Sequence, residues 1–124
     1  MSQFYDDLKT RSPDARAAAI SEALGAQIER AQGLPGYGDT LAGVAPGDIK
    51  SVADLAGLPV LRKADLGQAQ KAAPPFGGLT AGPVSGFAHV FQSPGPIYEP
   101  GGTGNDWWRM GRFLHACGVG AGDI

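Results

Sequence analysis

The chain has 124 residues, 43% of them hydrophobic, which is material for one modest core and no more. A formal charge of −2 and scattered Lys and Arg exclude an electrostatic claim on nucleic acid or a membrane surface, and no apolar run approaches the roughly 20 residues that span a bilayer. The single cysteine, Cys117, excludes an intramolecular disulfide and a cysteine-rich zinc site.

Met1-Ser2-Gln3-Phe4-Tyr5-Asp6-Asp7 lacks the basic start and apolar middle of a secretion signal, so a cytoplasmic location is expected. Ser12-Pro13-Asp14 then starts a helix, with a Ser cap, Pro at the first helical position and an acid in the first turn. Ala17, Ile20, Leu24, Ile28 and Ala31 share one face, and Gly33 is the stop. Gly33 to Pro46 reads as irregular, anchored by Tyr37.

Ser51-Val52-Ala53-Asp54 has the form of a capping box with Asp in place of Glu, opening a short helix through Val52, Leu55 and Leu58. A second short helix is expected from Lys63 to Gln70, with Ala64, Leu66 and Ala69 apolar, before Pro74-Pro75-Phe76-Gly77-Gly78 breaks it. Gly86 to Phe91 is the strand candidate. A loop follows, in which Pro94, Pro96 and Pro100 lack N–H groups and Gly95 is free to take positive φ. Asn105 is expected to cap a last helix whose apolar stripe is Trp107, Met110, Phe113, Leu114 and Cys117, with Gly118 ending it. That stripe makes Cys117 a buried small hydrophobe and sets Arg112 or His115 on the Trp108 indole.

The order strand, rigid loop, helix is how many α/β proteins display a ligand, so the candidate binding residues are Gln92, Ser93, Gly95, Tyr98 and Glu99. Glu99 also reads as a general acid or base, or as a solvated carboxylate. His89 has no ligand-type neighbour at metal spacing. No catalytic constellation can be assembled, and neither Gly77-Gly78 nor Gly101-Gly102-Thr103-Gly104 fits a phosphate-loop pattern.

Leu34-Pro35-Gly36-Tyr37, then Asp54-Leu55-Ala56-Gly57-Leu58-Pro59-Val60-Leu61-Arg62-Lys63-Ala64-Asp65-Leu66, Pro75-Phe76-Gly77-Gly78-Leu79 and Gly118-Val119-Gly120-Ala121-Gly122-Asp123-Ile124 stand in one order along the chain. In these segments the sequence resembles the N-terminal part of phenylacetate–CoA ligases and their relatives among the adenylate-forming ligases. The resemblance implies an α/β fold, mostly helical over 1–85 with strand, loop and helix over 86–124, as the opening segment of a large domain whose sheet is incomplete here. It implies ATP, Mg2+ and coenzyme A as cofactors and a carboxylic acid substrate, aromatic acids included, activated as an acyl-adenylate before transfer to the CoA thiol. Members carry a Ser/Thr/Gly-rich loop with a Lys near the position of Gln92 to Pro100.

Between Phe91 and Gly101 this chain has no Lys or Arg, three prolines and an acid, a poor cradle for triphosphate. The alternative is therefore a non-catalytic relative or stand-alone interaction module, with Trp107, Trp108 and the Pro-rich loop meeting a partner chain. The sequence closes on Asp123-Ile124, where an apolar strand is due, and so reads as a piece of a longer polypeptide, inactive alone and prone to homo-oligomerise through unpaired strand edges.

Overall fold

In the computed structural model, which describes residues 3–120 and 122–123, helices carry the first two thirds of the chain and a single hairpin follows. The α1 helix, Pro13–Gln32, begins as its sequence dictates: the Ser12 hydroxyl accepts the Ala15 N–H at 3.1 Å, and Gly33 closes the other end on Ala31 and Glu29. Of its apolar face only Ile28 is buried; Ile20, Leu24 and Ala31 are half-buried and Ala17 is exposed.

Gly33 to Pro46 is not irregular throughout. It contains α2, Pro35–Leu41, which Pro35 starts and which carries Leu41 into the core. Two glycines made this segment look broken, yet Gly36 is there for contact: a Cβ on it would strike Gly77 O, and its N–H donates to Gly78 O at 3.0 Å. Gly77 and Gly78 take φ of 68° and 70°, so this glycine pair forms a turn beneath α2. The Gln32 amide donates to Leu41 O at 2.8 Å and Val44 O at 2.7 Å, which ties the end of α1 to the end of α2.

Asp54 fulfils half of the capping pattern, its Oδ2 accepting from Lys50 N–H, Ser51 N–H and the Ser51 hydroxyl at 2.8–2.9 Å, while the N-cap itself is Val52, with no side-chain cap bond. The helix it heads, Ala53–Gly57, is a 3-10 turn. Further on, α3 spans Lys63–Ala72.

The strand prediction holds in part. Residues 84–86 form a 3-10 turn, and β1 runs His89–Ser93, two residues past the expected end. What read as a loop is a hairpin, with β2, Ile97–Gly101, antiparallel to β1 in the register His89 to Gly101 and Gln92 to Tyr98. Pro100 is tolerated because in this register its missing N–H faces away from β1.

The last helix is also shorter than its pattern. Residues 105–109 are turns and bends, with Asp106 and Arg109 at φ of 53° and 56°, and α4 covers only Gly111–Ala116. Asn105 is therefore not its cap; instead Asp106 Oδ1 accepts the Gly111 N–H at 2.7 Å. Cys117, expected inside, is exposed. Neither Arg112 nor His115 lies on Trp108: Arg112 grips Asp6 at 2.7 Å, His115 meets the edge of Tyr5, and Trp108 meets the edge of Phe91.

The core is thin. Ile28, Leu41, Phe76 and Ile97 are the buried hydrophobic residues described, while seventeen large hydrophobic side chains, Trp107 and Trp108 among them, remain substantially exposed. Architecture of this kind, with four α-helices and a two-stranded antiparallel sheet among the described residues, is consistent with part of an α/β fold. The closing Gly118–Ile124 segment includes Ala121 and Ile124, which lie outside the described residues, as do Met1 and Ser2.

Candidate functional site

The hairpin is held to α3 by one side chain. Leu66 and Ala69 define the inner face of α3, and Gln70, four residues after Leu66, falls on that face. Gln70 is 8% exposed; its Nε2 donates to Tyr98 O at 2.7 Å while its Oε1 accepts the Tyr98 N–H at 2.9 Å. A side-chain amide carries a donor and an acceptor, and so answers both backbone groups of one residue at once. Beside this clamp, Lys63 Nζ stands 3.1 Å from Glu99 Oε1, and Trp107 Nε1 donates to Pro100 O at 3.2 Å.

The five residues expected to bind ligand are adjacent but do not converge. Alternation along the hairpin places Gln92 and Tyr98 on one face and Ser93 and Glu99 on the other. Gly95 and Tyr98 line a cavity of about 330 Å³ with Pro96, Gln70, Lys71 and Pro75. Glu99 is occupied by Lys63, and the Ser93 hydroxyl reaches Ile97 O at 3.5 Å. Gln70, Lys63 and Lys71 were not singled out from sequence, although the Leu66 to Gln70 spacing carried the signal for Gln70.

The hairpin tip is poor in donors for a triphosphate. Pro94 and Pro96 offer no N–H, the Tyr98 N–H is already used, and the Glu99 carboxylate adds negative charge beside it. The lysines nearby come from α3: Lys63 is engaged with Glu99, and Lys71 borders the cavity.

A larger groove, about 610 Å³, lies between α1 and α2, walled by Ile28, Leu34, Tyr37, Leu41, Leu58 and Leu79. Its walls are chiefly apolar. A third cluster joins the two ends of the described chain, where the Arg112 guanidinium holds the Asp6 carboxyl below its usual range and is itself held protonated by that carboxylate. Hydrogen bonds from Lys50 and Ser51 lower Asp54 in the same way. Among the described residues no group of three or more His, Cys, Asp or Glu is placed to hold a metal ion, and no helix is long and apolar enough to cross a membrane.

No protein-family model matches the chain, and no curated protein matches it. Solved structures do. The chain is 31% identical to a 2-hydroxyisobutyryl-CoA ligase in the postadenylation state in complex with R3-HIB-AMP, with a TM-score of 0.75 over 92% of this chain and 26% of that one. The same ligase in complex with 2-HIB-AMP gives 31% identity and a TM-score of 0.72 over 90% of this chain and 25% of that one. In complex with 2-HIB-AMP and CoA in the thioesterification state it gives 32% and 0.64, over 81% of this chain and 22% of that one. The chain thus spans about a quarter of the length of the ligase it matches. This likeness supports the adenylate-forming ligase superfamily without singling out the phenylacetate–CoA ligases.

Proposed function

We propose that this chain is the N-terminal part of an ATP-dependent acyl-CoA ligase of the adenylate-forming kind. In the full reaction the carboxylate of an acid attacks the α-phosphorus of ATP, pyrophosphate leaves, and the CoA thiol displaces AMP from the acyl-adenylate to give a thioester. The observation that carries this reading is 31% identity sustained over 92% of the chain at a TM-score of 0.75, to a ligase solved with an acyl-adenylate. The order of the Asp54 to Leu66 and Pro75 to Leu79 segments agrees with it. Residues 1–124 form the opening segment of the large domain, with Gln92 to Glu99 bordering the acid or nucleotide site. On this reading triphosphate contacts come from other parts of the protein, and the substrate is a carboxylic acid, with phenylacetate-type and short hydroxy acids as the two classes to compare.

The full-length protein, incubated with ATP, Mg2+, CoA and a panel of both acid classes, is expected to yield AMP and thioester in equal amounts with at least one acid. Residues 1–124 alone are expected to yield neither. No thioester from any acid of either class contradicts the proposal.

The hairpin also favours a second reading, a relative that has lost adenylation. A tip with two prolines is poor in donors for phosphate, and the exposed Trp107 and Trp108, at the open end and the middle of the hairpin, suit a protein partner. Full-length protein that is folded, fails to bind ATP and turns over no acid is the outcome this reading expects.

A further inference from the structure

Two side chains of α3 reach the same strand. Lys63 and Gln70 lie about two helical turns apart on one face, and both meet β2: Lys63 Nζ at Glu99 Oε1, and Gln70 at the Tyr98 N–H and C=O. The two ties differ in kind. Gln70 is buried, and its one amide binds the peptide group on each side of Tyr98, so it fixes the orientation of both planes as well as their distance from α3. The Lys63–Glu99 pair is exposed, at 62% and 40%, and rests on a flexible stem. Donor and acceptor of each Gln70 bond lie within this chain, so the clamp is complete without any further element. Gly95, Pro96 and Tyr98 wall the cavity that Gln70 also lines.

We propose that Gln70 is a positioning residue for the acid: acting through the Tyr98 backbone, it sets where the hairpin meets the carbon skeleton of the carboxylic acid substrate. This inference rests on the ligase reading, in which Gln92 to Glu99 border the acid or nucleotide site. Of those two the hairpin suits the acid, because Pro94 and Pro96 present carbon surface and no N–H, and the Tyr98 N–H is spent on Gln70. A change at Gln70 therefore reaches the substrate by displacing β2, without any contact of its own to the reacting atoms. Because productive binding is sensitive to small displacements of the groups that border it, the clamp bears on affinity for the acid more than on any other step.

Full-length protein carrying Gln70→Met, which keeps the side-chain length and removes both bonds, is compared with the parent in steady-state thioester formation. The KM for the acid is expected to rise about tenfold, with those for ATP and CoA unchanged. A purely structural role would instead lower the amount of active enzyme, and so kcat, at an unchanged KM for every substrate. If Gln70→Met does not fold, Lys63→Met reads the same geometry through the exposed tie, whose loss leaves stability nearly untouched. That variant is expected to raise the acid KM alone, by about two- to threefold. A parent that makes thioester while the folded variants keep its acid KM, or raise the KM for ATP instead, overturns this proposal and leaves the ligase reading standing. A parent that makes no thioester from any acid overturns the ligase reading, and this inference with it.

Discussion

Gln70 is the residue whose removal reports most directly on how the hairpin is held. Gln70→Ala strands the Tyr98 N–H and C=O in a half-covered place, and is expected to destabilise the chain by about 1–3 kcal/mol in chemical denaturation. Gln68→Ala, on the exposed side of α3, is expected to change little. Asp6 gives the pH-dependent counterpart. Its carboxyl lies below the ordinary 3.8 because Arg112 donates to it, so the contact supports the fold above that pH and is lost as pH falls through the lowered value. The Tyr5 and His115 ring resonances are expected to shift together in that acid range, and Arg112→Ala to return the Asp6 titration towards 3.8. At this scale the sequence was partly legible. Asp54 and Ser12 could be assigned from local hydrogen-bonding logic alone, whereas Gln70 was not singled out, although its spacing to Leu66 carried the signal. The pairings of Lys63 with Glu99 and of Asp6 with Arg112 span 36 and 106 residues, a separation at which no local pattern speaks.

The elements that followed local rules were the ones the sequence announced. Ser12, Pro13 and Gly33 bracket α1, and α3 matches its apolar spacing. Where a tertiary contact outweighed propensity, the reading missed: α2 keeps Gly36 because backbone at Gly77 fills the place of a side chain. Gly36→Ala is accordingly expected to cost about 1–3 kcal/mol, against a small effect for Ala at Gly43, where open space surrounds the backbone. Hairpin formation through a proline-rich stretch was hidden because the outward position of Pro100 depends on register. The last helix failed at Arg109, whose φ of 56° breaks the Trp107 to Cys117 stripe. Left-handed backbone costs a non-glycine residue about 1–2 kcal/mol, of which the flexibility of glycine returns part to the unfolded chain. Arg109→Gly is therefore expected to stabilise by about 0.5–1 kcal/mol, measured as a raised denaturation midpoint.

For the whole molecule, the decisive fact is how little is covered. Among the described residues, four buried hydrophobic side chains against seventeen exposed large ones leave apolar surface that a stable domain would place under other elements. The sequence expected strands in this part of the chain, and the described residues hold two, paired antiparallel. Bis-ANS is expected to bind residues 1–124 strongly, and to lose that binding in the full-length protein as the exposed faces are covered. Superfamily-level likeness was legible because short helix-stop-helix segments keep their order, whereas the phenylacetate–CoA ligase subfamily and the acid specificity were not, since no group of described residues converges on a substrate-shaped polar site. Acid-dependent exchange of labelled pyrophosphate into ATP, catalysed by the full-length protein, tests the ligase proposal most directly because it reads adenylation without CoA. The proposal predicts label in ATP only when a cognate carboxylic acid is present; folded full-length protein that exchanges none with any acid would contradict it.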